Sequence, residues 1–201
     1  MDLKEAGIGE GITEVIVTTR SASGKPNAAP IGIITTTNEG TGDPQHYVKL
    51  YKSSKTLSNV RETNTLAANV TDDVVLFVKA AFENLREAHF SAFADMPVLT
   101  EANAWIVFTT ALSEERSEYF LFRVTPKAVK IKRKEVKAIN RGLNAVIEAT
   151  ILTTRFNITK NEREKGEMRK QMDLYKEIVK KCGGRLEKEA MDILKEKCSF
   201  R

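Results

Sequence analysis

The 201-residue chain is poor in the side chains that most reaction centres use: two cysteines, two histidines and one tryptophan. Cys182 and Cys198 are too few for a disulfide framework or a zinc ribbon, and on adjacent predicted helices they read as small core-facing thiols. His46 and His89 lie far apart with no second ligand at metal spacing, so no transition-metal site is expected. No G-x-S-x-G elbow supports Ser/His/Asp hydrolysis, and Gly24-Lys25 lacks the glycine spacing and following hydroxyl of a P-loop. GIGEG, from Gly7 to Gly11, precedes the first strand and opens no helix, so it reads as a flexible loop. No apolar run approaches the roughly 20 residues that cross a bilayer, and the first fifteen residues contain no apolar leader. A cytoplasmic protein without membrane contact is the expectation. Five prolines, eleven glycines and 41% hydrophobic residues exclude collagen-like and largely disordered classes.

Charge is present but uneven. The chain totals +5, yet residues 1–126 carry −5 and residues 127–201 carry +10. The change of sign near Pro126 coincides with a change of hydrophobic period, which points to two differently built regions.

The first region is rich in β-branched residues. ITEVIVTT and AAPIGIITTT flank the turn-forming RSASGKPN, giving a hairpin with a long loop, and QHYVKLY alternates as a third strand. KSSKTLSNVRETN fits one short helix. TLAANVTDDVVLFVKAAF reads as two strands around a turn at Asp72-Asp73. AWIVFTTAL, SEYFLFRVT and AVKIK add strands, with a helical or irregular insert, ENLREAHFSAFADMPVLTEAN, before them. Six to eight strands joined by hairpins favour an antiparallel barrel or sandwich.

Helical spacing takes over afterwards. Val136, Ile139, Leu143, Val146, Ile147 and Ile151 mark one amphipathic helix; Met168, Met172, Tyr175, Val179 and Cys182 mark a second, stopped by Gly183-Gly184. Leu186, Ala190, Ile193 and Leu194 mark a third. The outer faces mix Lys and Glu, which reads as a solvated, ion-paired surface. Tyr175 and Phe200 are the only aromatics after residue 160, so stacking platforms for nucleic acid are missing and that partner is not expected.

Two segments carry chemistry. Tyr51-Lys52-Ser53-Ser54-Lys55-Thr56 sets three hydroxyls and two ammonium groups at a helix start, where free N–H groups and the helix dipole favour a phosphate. The alternative is a serine that caps the helix while the lysines face water. Asn27-Ala28-Ala29-Pro30-Ile31-Gly32 opens a strand with small residues and a proline, leaving room for a flat ligand and free main-chain groups for its polar edge. Together they suit a planar, phosphorylated cofactor, with FMN as the candidate.

On GITEVIVTT, NAAPIGI, YKSSKTLSNV, NVTDD and NRGLNAVIEATILTTR, the chain resembles the FMN-binding split-barrel superfamily of flavin reductases and pyridoxamine-phosphate-oxidase-like proteins. More closely it resembles an archaeal family of FMN-binding proteins of unknown function, from about Gly11 to Gly184. The resemblance implies an α+β, mainly β, fold: a six-stranded Greek-key split barrel in residues 1–130, with a C-terminal helical region, residues 131–201, packed on it. It implies a homodimer with FMN near the subunit interface. Ser53, Ser54 and Thr56 would hold the phosphate with Lys52 or Lys55 adding charge; Asn27 to Ile31 would lie along the ring; Asn69, Thr71 and Asp72 would reach the ribityl chain. Trp105, Arg141 and Arg155 would come from the partner subunit, although Trp105 suits a core equally well and Arg141 a dimer contact or water.

The function so implied is that of an FMN-dependent, flavin-reductase-like oxidoreductase of unknown substrate. A non-catalytic FMN-binding or storage protein is the alternative, and a basic module docking on nucleic acid a third.

Overall fold

The computed structural model describes residues 3–38, 40–133 and 140–197, grouped in two compact units. One lies within Met1–Asp72 and Asn84–Lys134, the other within Asp73–Glu83 and Glu135–Arg201.

In the first unit, the β-branched runs form β1 (Gly11–Arg20), β2 (Pro26–Thr37), β3 (Pro44–Tyr51) and β4 (Thr65–Val70). After two short strands, β5 (Phe90–Phe93) and β6 (Met96–Leu99), come the long β7 (Ala104–Glu115) and β8 (Tyr119–Ile131). Six of them close an antiparallel barrel in the order β1-β2-β3-β8-β7-β4, and β5 pairs with β6 alone. With the helices of the second unit, this is the expected α+β barrel fold. Alternate residues point inward: Val15 and Val17, Val48 and Leu50, Ile106 and Phe108, Phe120, Phe122 and Val124 all join one buried cluster with Leu3 and Ile8. Helix α1 (Lys55–Thr63) follows β3 directly.

The insert before β7 proves to be one 3-10 turn and the β5–β6 hairpin rather than helix. SEYFLFRVT and AVKIK are a single strand, β8. Its Pro126 is accommodated by an irregularity: Phe108 faces Pro126 while Val107 faces Ala128, so Lys127 is the extra residue of a bulge.

VVLFVKAAF, expected as a strand, is helix α2 (Val74–Phe82) and belongs to the second unit. Asp73, read as part of a turn, is its N-cap: the carboxylate accepts from Leu76 N–H at 2.9 Å. α2 buries Val74, Val75 and Val78 against α3 (Arg141–Ile158) and α5 (Arg185–Lys197), in one cluster that α4 (Glu162–Cys182) also joins. The expected stripe of α4 holds, with Met172 and Val179 buried and Met168 and Tyr175 packed beside them. The expected positions Val136, Ile139, Cys198 and Phe200 lie outside the described residues, and Cys182 is half-buried.

Candidate functional site

The barrel is not paired evenly around its circumference. β2 pairs with β1 along its whole observed register, Pro26 to Thr35, but with β3 only from Ile33 to Thr37. The first half of β2, Asn27 to Gly32, therefore has a ladder on one side only and stays half-buried. Main-chain groups on its other edge have no strand partner in the observed register.

α1 begins beside this open edge because Asn27 Nδ2 donates to Thr56 Oγ1 at 3.3 Å. That single bond joins the two segments singled out in the sequence. It also changes the role of Thr56, which is 2% exposed: its hydroxyl positions the strand against the helix instead of facing solvent. Ser54 is the helix cap, accepting from Leu57 N–H at 3.2 Å, so the capping alternative describes this serine.

Around the start of α1 lies an open depression of about 540 Å³ lined by Lys52, Ser53, Ser54, Lys55, Leu57, Ser58, Arg61 and Glu62. Among the described residues, the hydroxyls of Ser53 and Ser58 and the cations of Lys55 and Arg61 have no hydrogen-bond or ion-pair partner. The Arg61 guanidinium instead packs 4.9 Å from the Phe120 ring centroid, which holds it in place without neutralising it. Lys52 lies 5.0 Å from the same ring and pairs with Glu115 at 2.9 Å. Glu62 is the carboxylate of the lining: it accepts from Ala22 N–H at 3.0 Å, which ties the β1–β2 turn to the helix and fixes its negative charge at the rim. Unspent hydroxyls, unpaired cations and a helix N-terminus form a donor set that fits a phosphate. Arg61 and Ser58 escaped the sequence reading, though Ser54, Ser58 and Arg61 stand at +4 and +3 spacing on one helical face.

The other predicted residues separate from this group. Asn69 is wholly buried, and both ends of its amide are spent: Nδ2 donates to Ile16 O at 2.8 Å and Thr18 Oγ1 at 3.0 Å, and Oδ1 accepts from Leu99 N–H at 2.7 Å. It holds the β5–β6 hairpin to the outer wall of the barrel, with both amide hydrogens committed there. Trp105, in register with Asn69 and 7% exposed, does the same: Nε1 donates to Leu99 O at 2.8 Å and the ring lies 5.6 Å from Phe93. Its core alternative is the one found. Asp72 accepts from Asn103 at 2.9 Å and, with Thr71, is half-buried outside the depression. Tyr51 is 56% exposed and packs edge-on to Tyr119. Arg141 and Arg155 are exposed on α3 of the helical unit.

Comparison with known proteins agrees with this architecture. The chain is 35% identical to the FMN-bound protein MM1853 from Methanosarcina mazei, covering 98% of this chain and 100% of that one, with a TM-score of 0.87. An uncharacterized protein of Methanocaldococcus jannaschii, MJ1453, is 26% identical over 198 residues, 91% of this chain and 96% of that protein. A flavin reductase domain protein from Arthrobacter shares the fold at 13% identity and a TM-score of 0.51, over 62% of this chain and 80% of its own. The N-terminal domain of a protein family of unknown function, DUF447, matches residues 13–133, and the second DUF447 model matches residues 140–196. The chain therefore belongs to the DUF447 family.

Proposed function

We propose that this chain is an FMN-binding flavoprotein, with the phosphate in the depression at the start of α1 and the ring along the open edge of β2. The observation that carries the reading is the Asn27–Thr56 bond, which sets an unpaired strand edge beside a set of unspent phosphate donors. The FMN-bound relative from Methanosarcina mazei supports it. Arg61 and Lys55 neutralise the phosphate, Ser53 and Ser58 donate to it, and main-chain groups of Asn27 to Gly32 take the polar edge of the ring. Ser54 and Thr56 keep the helix start and the strand in place.

When bound, FMN supplies hydride and electron transfer; the chain supplies binding, orientation and charge. The reaction class is accordingly an oxidoreductase of the flavin-reductase type, with a carrier of FMN as the alternative. Purified protein titrated with FMN is expected to quench flavin fluorescence with one site per chain, and FMN is expected to bind far more tightly than riboflavin. Absence of any uptake overturns the reading. Stopped-flow mixing with reduced nicotinamide or deazaflavin separates the two roles: rapid bleaching marks the enzyme, inertness the carrier.

A homodimer belongs to the same proposal. Ile12 of β1, 67% exposed, and Leu112 of β7, 56% exposed, are the barrel side chains offered for contact with a second copy. Sedimentation equilibrium is expected to give about twice the 22.5 kDa chain mass; a monomer at micromolar concentration refutes it.

A further inference from the structure

The turn between β7 and β8 reaches the phosphate depression through one residue. Lys52 N–H donates to Glu118 O at 3.0 Å, and Lys52 Nζ meets Glu115 Oε1 at 2.9 Å. The turn is itself braced, with Arg116 N–H donating to Tyr119 O at 2.9 Å and an ion pair between Arg116 and Glu114. Of the three cations that line the depression, Lys52 is thus the one already neutralised, whereas Lys55 and Arg61 have no carboxylate partner among the described residues. The Lys52 side chain is 40% exposed and that of Glu115 57% exposed, so the pair is solvated and exchangeable rather than locked.

Resting on the flavin reading above, we propose that Glu115 is a built-in counter-anion that competes with the ligand's phosphate for Lys52. A phosphate dianion offers Lys52 more charge and more acceptor oxygens than one carboxylate, so loading transfers the ammonium from the hairpin to the ligand. The exchange lowers affinity for phosphorylated ligands without touching the ring contacts. It also makes release easier, because Glu115 is at hand to take Lys52 back. The specificity consequence is narrow: Glu115 tunes FMN and leaves riboflavin alone.

The test compares wild type, Glu115→Gln, Lys52→Ala and the double variant by equilibrium titration with FMN and with riboflavin. Glu115→Gln is expected to bind FMN about two- to fivefold more tightly, the range set by a solvated ion pair. Riboflavin affinity stays unchanged, and the FMN gain vanishes in the Lys52→Ala background. Raising salt to about 0.5 M shrinks the gain. Equal FMN affinity in wild type and Glu115→Gln, a gain shared by riboflavin, or a gain that survives loss of Lys52 overturns the proposal. A parallel titration of ligand-free protein with inorganic phosphate, followed by the amide resonances of Ser53 to Lys55, separates the two levels. A tighter phosphate response in Glu115→Gln without FMN uptake sinks the flavin reading and sustains the counter-anion; no gain with either ligand sinks the counter-anion.

Discussion

Ser53, Ser54 and Thr56 look interchangeable in the sequence, yet the fold gives each a different duty. Ser54 caps α1, Thr56 ties it to Asn27, and Ser53 with Arg61 faces the depression. Arg61→Ala is therefore expected to weaken FMN by about 2 kcal/mol, roughly thirtyfold, while leaving riboflavin unchanged, because it removes a charge-assisted bond to phosphate alone. Isothermal titration with both ligands checks it; equal losses would mean the guanidinium acts on the ring side or on folding. Asn69 shows why other site residues were illegible. Its place in NVTDD is explicit, but its four hydrogen-bonding partners come from β1, β4 and β6, and no local pattern reveals that β6 covers it. Asn69→Ala removes the acceptor of the buried Leu99 N–H and the amide donor to Ile16 O and Thr18, which is expected to cost about 3 kcal/mol. Since Trp105 is the chain's single tryptophan and is bonded to Leu99, a red shift of its emission should accompany that loss; native emission with native stability would refute the assignment. His46, 5% exposed and bonded through Nδ1 to Thr35 at 2.9 Å, has its pKa lowered by burial. The unfolded chain then takes up the proton first, so stability is lost as pH falls from about 6.5 toward the folded value, by at most about 1.4 kcal/mol per pH unit. Urea midpoints at pH 7.5 and 5.0 should differ less in His46→Gln than in wild type.

At the scale of elements, the strands of the barrel were readable because one face of each meets a single core, giving the period-two alternation of Val15 and Val17 or Val48 and Leu50. α2 was not, because VVLFVKAAF is apolar at every position but Lys79 and opens on two valines, and a short run of that kind does not reveal its period. The decisive sign was the Asp73 cap, which is equally good turn chemistry. The β5–β6 hairpin hid for another reason: its turn uses Ala94 and Asp95 at positive φ, 46° and 64°, without the glycine that marks such turns. The helical unit depends on a contact no periodicity predicts. A Cβ on Gly142 would stand 2.6 Å from Gly183 Cα and 2.8 Å from Gly183 N, backbone that cannot step aside. Glu187 fastens the same place, accepting from Asn140 Nδ2 at 3.2 Å and Gly184 N–H at 2.8 Å. Gly142→Ala is expected to destabilise the helical unit by about 2 kcal/mol or more. Loss of helical ellipticity at lower temperature than wild type is the measurement, and an unchanged midpoint would show that α3 and the Gly183 turn tolerate separation.

For the whole molecule, the net charge of +5 conceals a division that the structure redraws. The surplus of +10 after residue 126 suggested a basic helical region, but Lys127, Lys130, Lys132 and Arg133 supply four of those charges from β8 and the residues just after it. Two of them are committed, since Lys130 and Lys132 lie 5.6 and 4.7 Å from the Trp105 ring and Lys132 also donates to Thr100 O. On the helices, Lys165, Lys176 and Lys195 pair with Glu162, Asp173 and Asp192 three residues earlier, at 2.7 to 2.9 Å, and Lys197 pairs with Glu83 at 3.0 Å. Cations interleaved with carboxylates do not form the continuous stripe that releases counterions from a duplex. Fluorescence anisotropy with a labelled 20-base-pair duplex is therefore expected to show no saturable binding at 0.15 M salt, and only a shallow salt slope at lower ionic strength. Micromolar affinity at 0.15 M with a slope of several salt units would place a polyanion among the partners and reopen the reading of the helices as a solvated surface. The acidic part of the chain holds the depression at the start of α1, where Lys55 and Arg61, without a carboxylate partner among the described residues, outweigh the regional charge of −5 because a ligand within hydrogen-bonding distance senses neighbours inside a Debye length far more than the sum over the chain.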